Sequence, residues 1–123
     1  MGIHSRIEEK QREIREYESD IAELENAYDF ISLKYNMLQN DIYEPDKSYD
    51  MTNSNEWRGK LENDSENFLN ENCSLIGVIL SNTSKHLSNI QRAIVQIREL
   101  IRMCEDEIAA LEEELRAREN EKY

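Results

Sequence analysis

The sequence predicts an all-α fold, a long antiparallel helical hairpin with coiled-coil-like packing. Three observations carry that prediction: apolar residues recur at alternating three- and four-residue spacing over two long stretches, one turn-forming segment separates them, and Pro and Gly are scarce. The chain has 123 residues, 38% hydrophobic and 34% charged, with one Pro and three Gly. That length accommodates a single hairpin domain, residues 1-123, and so high a charged fraction leaves few residues for a globular core.

The first seam runs Ile14, Tyr17, Ile21, Leu24, Tyr28, Ile31, Tyr35, Leu38 and Ile42 without a miss. Extended backwards it meets Lys10, Ile7 and Ile3, which gives a helix over about residues 3-44. The tyrosines fall on the seam and read as core. Its outer positions carry Glu8, Glu9, Arg12, Glu13, Glu16 and Glu23, a solvated face. Pro45 ends the pattern, and the residues that follow, up to Asn55, collect Asp, Ser, Thr and Asn, the side chains of turns and caps. A loop is therefore expected over about 45-55.

The second seam runs Leu69, Cys73, Ile76, Leu80, Thr83, Leu87, Ile90, Ile94, Ile97, Ile101, Cys104, Ile108, Leu111 and Leu115. It gives a second helix over about 56-120. Ser81 to Asn89 is rich in Ser and Asn, poor helix-interior residues, so a kink near residues 81-89 is the alternative to one continuous helix. The register crosses that stretch unchanged, which favours continuity.

A loop centred near residue 50 would set position i on the first helix opposite about 101 − i on the second. By that register everything after about residue 99 lacks an intramolecular partner, although the seam continues there. Ile101, Ile108, Leu111 and Leu115 are accordingly expected to bind a partner. A second apolar line, Trp57, Leu61, Phe68, Leu75 and Ile79, flanks the seam near the hairpin tip. It fits either a third helix, with Leu75 and Ile79 as partner contacts, or packing back onto the loop.

Composition excludes several function classes. The net charge of −12 opposes nucleic acid and anionic lipid, both of which bind through basic patches. No apolar run approaches the roughly 18 residues of a membrane span, and the first residues lack the form of a signal peptide. The chain is expected to be made in the cytoplasm. Met1-Gly2 lacks the Ser or Thr of a myristoylation signal, having Arg6 there. Glycosylation triplets at Asn63, Asn72 and Asn82 have meaning only in a secretory route.

Chemistry-bearing constellations are sparse. Cys73 and Cys104 on one continuous helix would stand on the order of 45 Å apart, beyond disulfide reach. His4 and Glu8, four apart, read as a surface pair. Asp46, Ser48 and Asp50 start like a calcium loop, but Met51 and Trp57 stand where Gly and Glu are needed. No phosphate loop or nucleophile elbow occurs. No catalytic residue, metal site or cofactor is expected, and the chain reads as non-enzymatic.

Trp57-Arg58-Gly59 stands between the two amphipathic helices, where Trp can pack across the tip and Gly permits close backbone approach. With the acidic hairpin around it, this turn motif, Trp57 and Gly59, resembles the WXG-type (Esx-like) proteins of type VII secretion. The resemblance covers the architecture of the chain and three residues of motif. One departure is clear: the family's Tyr-x-x-x-Asp/Glu export signal is missing, since Ile21, Ser32, Gln39, Lys47 and Asn53 lie four beyond the internal tyrosines and Tyr123 is last. That pattern is similar to the small helical partners of LXG toxins, in which the export signal can reside on another subunit. The resemblance implies an adaptor or targeting chaperone that binds the toxin's helical N-terminal domain, together with a second small helical protein or alone, and is either retained in the cytoplasm or exported with its partner. The rival reading is a homo-oligomeric coiled-coil scaffold in which one hairpin's overhang pairs with another's.

Overall fold

The computed structural model describes residues 2–45 and 59–121, with side chains of the second helix from Asp64 onward. Helix α1 spans Ile3–Met37 and passes into a π-helical segment, Leu38–Tyr43; helix α2 spans Gly59–Glu121. The described residues contain no strand, and the fold is an all-α helical hairpin. Helix persists through Pro45, so most of the expected loop, and the expected start of the second helix at 56, lie outside the described residues. The stretch from Ser81 to Asn89 does not interrupt α2. Weak helix propensity there amounts to tenths of a kcal/mol per residue, whereas burying Leu80 just before it and half-burying Leu87 within it contributes more.

Contacts divide the hairpin into two compact units: unit 1 comprises Met1–Ala27 with Ile90–Tyr123, and unit 2 comprises Tyr28–Asn89. In unit 1 the buried apolar residues are Ile3, Ile90, Ile94, Cys104 and Leu111. Lys10 Nζ lies 3.0 Å from a Glu107 carboxylate oxygen, and Cys104 Sγ lies 3.5 Å from Glu13 Oε2. These pairs set position i level with about 118 − i, and both seams then meet at every step. Ile3 is level with Leu115, Ile7 with Leu111, Ile14 with Cys104 and Ile21 with Ile97.

This register corrects the loop-centred expectation of 101 − i. Two seams of alternating three and four spacing, run antiparallel, coincide only at offsets seven residues apart, and 101 is not among them. The offset near 118 also covers both seams as far as Leu115, which the loop-centred one would leave bare. The C-terminal part of α2 is therefore not an unpaired overhang. Leu111 is 7% exposed, and Ile101, Ile108 and Leu115 are half-buried in the hairpin itself.

Unit 2 follows the same inward line with one dislocation. Leu80 is buried, and Ile31, Tyr35 and Leu38 are half-buried. Within the π-helical segment the Glu44 N–H donates to the Gln39 carbonyl, five residues back, so this turn holds one residue more than an α-turn. The inward position after Leu38 consequently moves from Ile42 to Tyr43. Ile42, expected on the seam, is 46% exposed, whereas Tyr43 is half-buried with its ring against Gly77. A Cβ at residue 77 would stand 3.6 Å from the Tyr43 hydroxyl oxygen. That is ordinary contact distance, so the ring packs directly over this position of α2.

Candidate interaction surface

Unit 1 presents a mostly charged exterior, acidic in balance, in which several side chains pair. Lys10 occupies a seam position, and its hydrogen bonds to Glu107 and then Glu13 hold its pKa above the usual lysine range. The aliphatic stem packs along the seam while the ammonium reaches the two carboxylates, an arrangement that fixes register more than it adds stability. Burial, followed by the neighbouring Glu13 carboxylate, pushes the Cys104 thiol up, so it stays protonated and donates its S–H to Glu13. It is a core residue with a polar tether, poorly suited to redox work. Arg98 donates to Glu25 across the helices at 2.9 Å, while Arg102 pairs with Glu99 and Asp106, and Arg118 with Glu114, along α2. Such exposed pairs contribute about 0–1 kcal/mol each. Hydrogen bonding to Arg102 lowers the Glu99 pKa, in keeping with that local pairing.

Unit 2 is built differently. Phe30, Leu33 and Met37 recur at three and four residues along α1, parallel to the seam but off it, and all are exposed. On α2 Phe68, Leu75, Val78 and Ile79 are exposed off the seam, with Phe68 at 68% and Leu75 at 62%. At about 100° per residue Phe30, Met37, Phe68, Leu75 and Ile79 lie roughly 80–140° from their inward lines in the same rotational sense, whereas Leu33 and Val78 lie roughly 180° away, on the backs of their helices. In an antiparallel pair equal sense means the same side. The two helices of unit 2 therefore share one apolar side, made by Phe30, Met37, Phe68, Leu75 and Ile79 and edged by Lys34, whose ammonium sits 5.4 Å from the Phe30 ring centroid.

The expected partner residues thus divide. Leu75 and Ile79 lie on this exposed side, whereas Ile101, Ile108, Leu111 and Leu115 belong to the hairpin's own packing. Phe68, on the flanking apolar line of α2, lies there too. Gly59 is the first residue of α2, and Trp57 lies outside the described residues. Phe30, Leu33, Met37 and Val78 were not singled out from sequence. Their signal was present as the off-seam spacing 30, 33 and 37, which the stronger seam beside it masked.

Among the described residues no group of three or more His, Cys, Asp or Glu side chains could hold a metal ion, and no helix is long and apolar enough to cross a membrane. Comparison with known proteins yields no matching family model, no matching curated protein and no matching solved structure.

Proposed function

We propose that this chain is a non-enzymatic adaptor that binds the helical N-terminal domain of an LXG-type toxin of type VII secretion and assists its export. The observation that carries a binding role is the apolar side of unit 2, where Phe30, Met37, Phe68, Leu75 and Ile79 stand exposed on one side of two antiparallel helices. A side of that width accepts further helices through knobs-into-holes packing. The secretion context rests on the resemblance at Trp57 and Gly59 and on the acidic hairpin around them. The amphipathic helix of a toxin domain supplies the complementary stripe.

The test is a mass measurement of the chain alone and mixed with the helical domain of an LXG-type protein encoded beside it. A defined complex that is lost on replacing Leu75 and Ile79 by Ser supports the reading; no complex with any such domain contradicts it. Trp57→Ala separates recognition from structure. An adaptor in which the turn is read by its partners loses toxin export while its melting temperature holds, and a Trp that only closes the turn loses both together.

A further inference from the structure

We infer that unit 2 is a conformational switch: its two helices part in one cooperative step while unit 1 stays folded and keeps the hairpin closed. Burial is the first reason. Among the described residues unit 1 buries Ile3, Ile90, Ile94, Cys104 and Leu111, whereas unit 2 buries Leu80 alone. The inward line of unit 2 is also the more polar, since it includes Tyr28, Tyr35, Tyr43 and Thr83, whereas that of unit 1 is Ile and Leu throughout apart from Lys10, Tyr17 and Cys104. Helix propensity points the same way. Unit 2 holds Gly77 and the run from Ser81 to Asn89, whereas residues 91–118 of α2 are mainly Arg, Glu, Ala, Leu, Met and Gln, strong helix formers. On α1, unit 2 contains the π-helical turn Leu38–Tyr43, a departure from α-helical bonding that the described residues of unit 1 lack.

The order of opening follows from where the buried residues stand. A helical hairpin commonly frays at its chain ends, where no covalent link holds the helices together. Here that end carries Ile3, Cys104 and Leu111, and Ile94, level with Leu24, is buried close to the limit of unit 1. The other end gives way at little entropic cost. Loop-closure entropy grows only with the logarithm of loop length, so unit 1 closes over the whole of residues 28–89 almost as readily as over the turn alone. Local stability in a native chain tracks buried apolar contact, and unit 2 has the less of it. Opening brings Ile31, Leu38, Ile76, Leu80 and Leu87, inward in the closed hairpin, to the surface. In the adaptor reading these are further residues that a toxin helix meets. The opening itself does not rest on that reading.

Native-state hydrogen exchange of the purified full chain in rising, sub-denaturing urea tests the inference, alongside circular dichroism of every variant. Amides of residues 31–36 and 73–87 are expected to be at least about 100-fold less protected than those of residues 14–24 and 94–108. They are also expected to share one urea dependence, shallower than that of global unfolding, because their opening exposes less surface. Leu111→Ala is the decisive variant. It is expected to lower protection of the unit 1 set at least about 30-fold and to leave the unit 2 set within about threefold, because opening of unit 2 leaves the packing of residue 111 untouched. Leu80→Ala is expected to lower protection in both sets, because the global unfolding through which unit 1 exchanges includes the opening of unit 2. Equal protection and one urea dependence across both sets overturn the inference, as does a Leu111→Ala chain in which both sets fall alike, or a Leu80→Ala chain in which only the unit 2 set falls. Should Leu111→Ala lose helicity, Leu111→Val is read in its place for the same selectivity. A chain that opens in this way and captures no toxin domain removes the adaptor reading alone, and a uniformly protected chain that captures one removes this inference alone.

Discussion

The two units use the same seam and differ in what flanks it. Unit 1 buries Ile3, Ile90, Ile94, Cys104 and Leu111 and surrounds them with charged side chains, including the cross-helix pairs Lys10 with Glu107 and Glu25 with Arg98. Unit 2 buries Leu80 and leaves Phe30, Leu33, Met37, Phe68, Leu75, Val78 and Ile79 exposed. A two-helix contact can cover only a narrow stripe, so apolar residues beyond that stripe stay in water unless something else covers them. Beyond its stripe unit 1 exposes Val95, Leu100 and Met103, all on α2, whereas unit 2 exposes apolar residues on both helices. Unit 1 thus covers more of its apolar surface within the hairpin than unit 2 does.

The sharpest contrast between the units is energetic. Leu111→Ala, in unit 1, is expected to cost about 2–4 kcal/mol of folding stability by removing a buried side chain. Leu75→Ala, in unit 2, is expected to cost under about 0.5 kcal/mol when measured at monomeric concentration, as an exposed substitution does. Urea unfolding of both variants decides it, and equal losses would erase the distinction between the units.

Within unit 2, the π-helical turn makes a paired prediction. Tyr43→Ala is expected to cost about 1–2 kcal/mol, because the ring faces Gly77 across the hairpin. Ile42→Ala is expected to cost under about 0.5 kcal/mol, although the heptad pattern places residue 42 inside. Reversed losses would mean that the seam runs through residue 42 after all.

Those two residues also show how far sequence reasoning reaches. Both helices, their seams and the continuity of α2 through residues 81–89 were legible, because heptad spacing is local and repeats many times. The antiparallel register was not, since the loop-centred value ignored the seven-residue steps that two interlocking seams impose. The expected partner role of Ile101, Ile108, Leu111 and Leu115 depended on that register and lost its basis with it. Leu75 and Ile79 survive because their line was read from its own spacing. The extra residue between Leu38 and Tyr43 leaves no mark in an unbroken heptad, and only the Gly77 opposite hints that something bulky has to fit.

A smaller effect concerns that glycine. Gly77 lies inside α2, and an added Cβ would meet the Tyr43 ring at 3.6–3.9 Å, ordinary contact distance. Gly77→Ala is therefore expected to stabilise unit 2 by about 0.5–1 kcal/mol through helix propensity, which a thermal melt reads directly. Smallest is the difference between the two thiols. Cys73 is half-buried, while Cys104 is buried and held protonated by burial and Glu13. In the native chain at pH 8, a thiol reagent is expected to label Cys73 first and Cys104 only on unfolding.

The central claim is the register, because it makes the seam of unit 1 internal and leaves the proposed binding role to unit 2. Disulfide trapping in a chain whose Cys73 and Cys104 are replaced by Ala tests it most directly. Ile7→Cys with Leu111→Cys is expected to oxidise within one chain rapidly and nearly completely, since the register sets those residues level across the hairpin on facing seams, the juxtaposition a disulfide needs. Ile7→Cys with Ile94→Cys, the pair that a loop-centred hairpin would bring together, is expected to stay reduced. Efficient closure of the second pair and failure of the first would contradict the account and return the C-terminal seam to the partner surface.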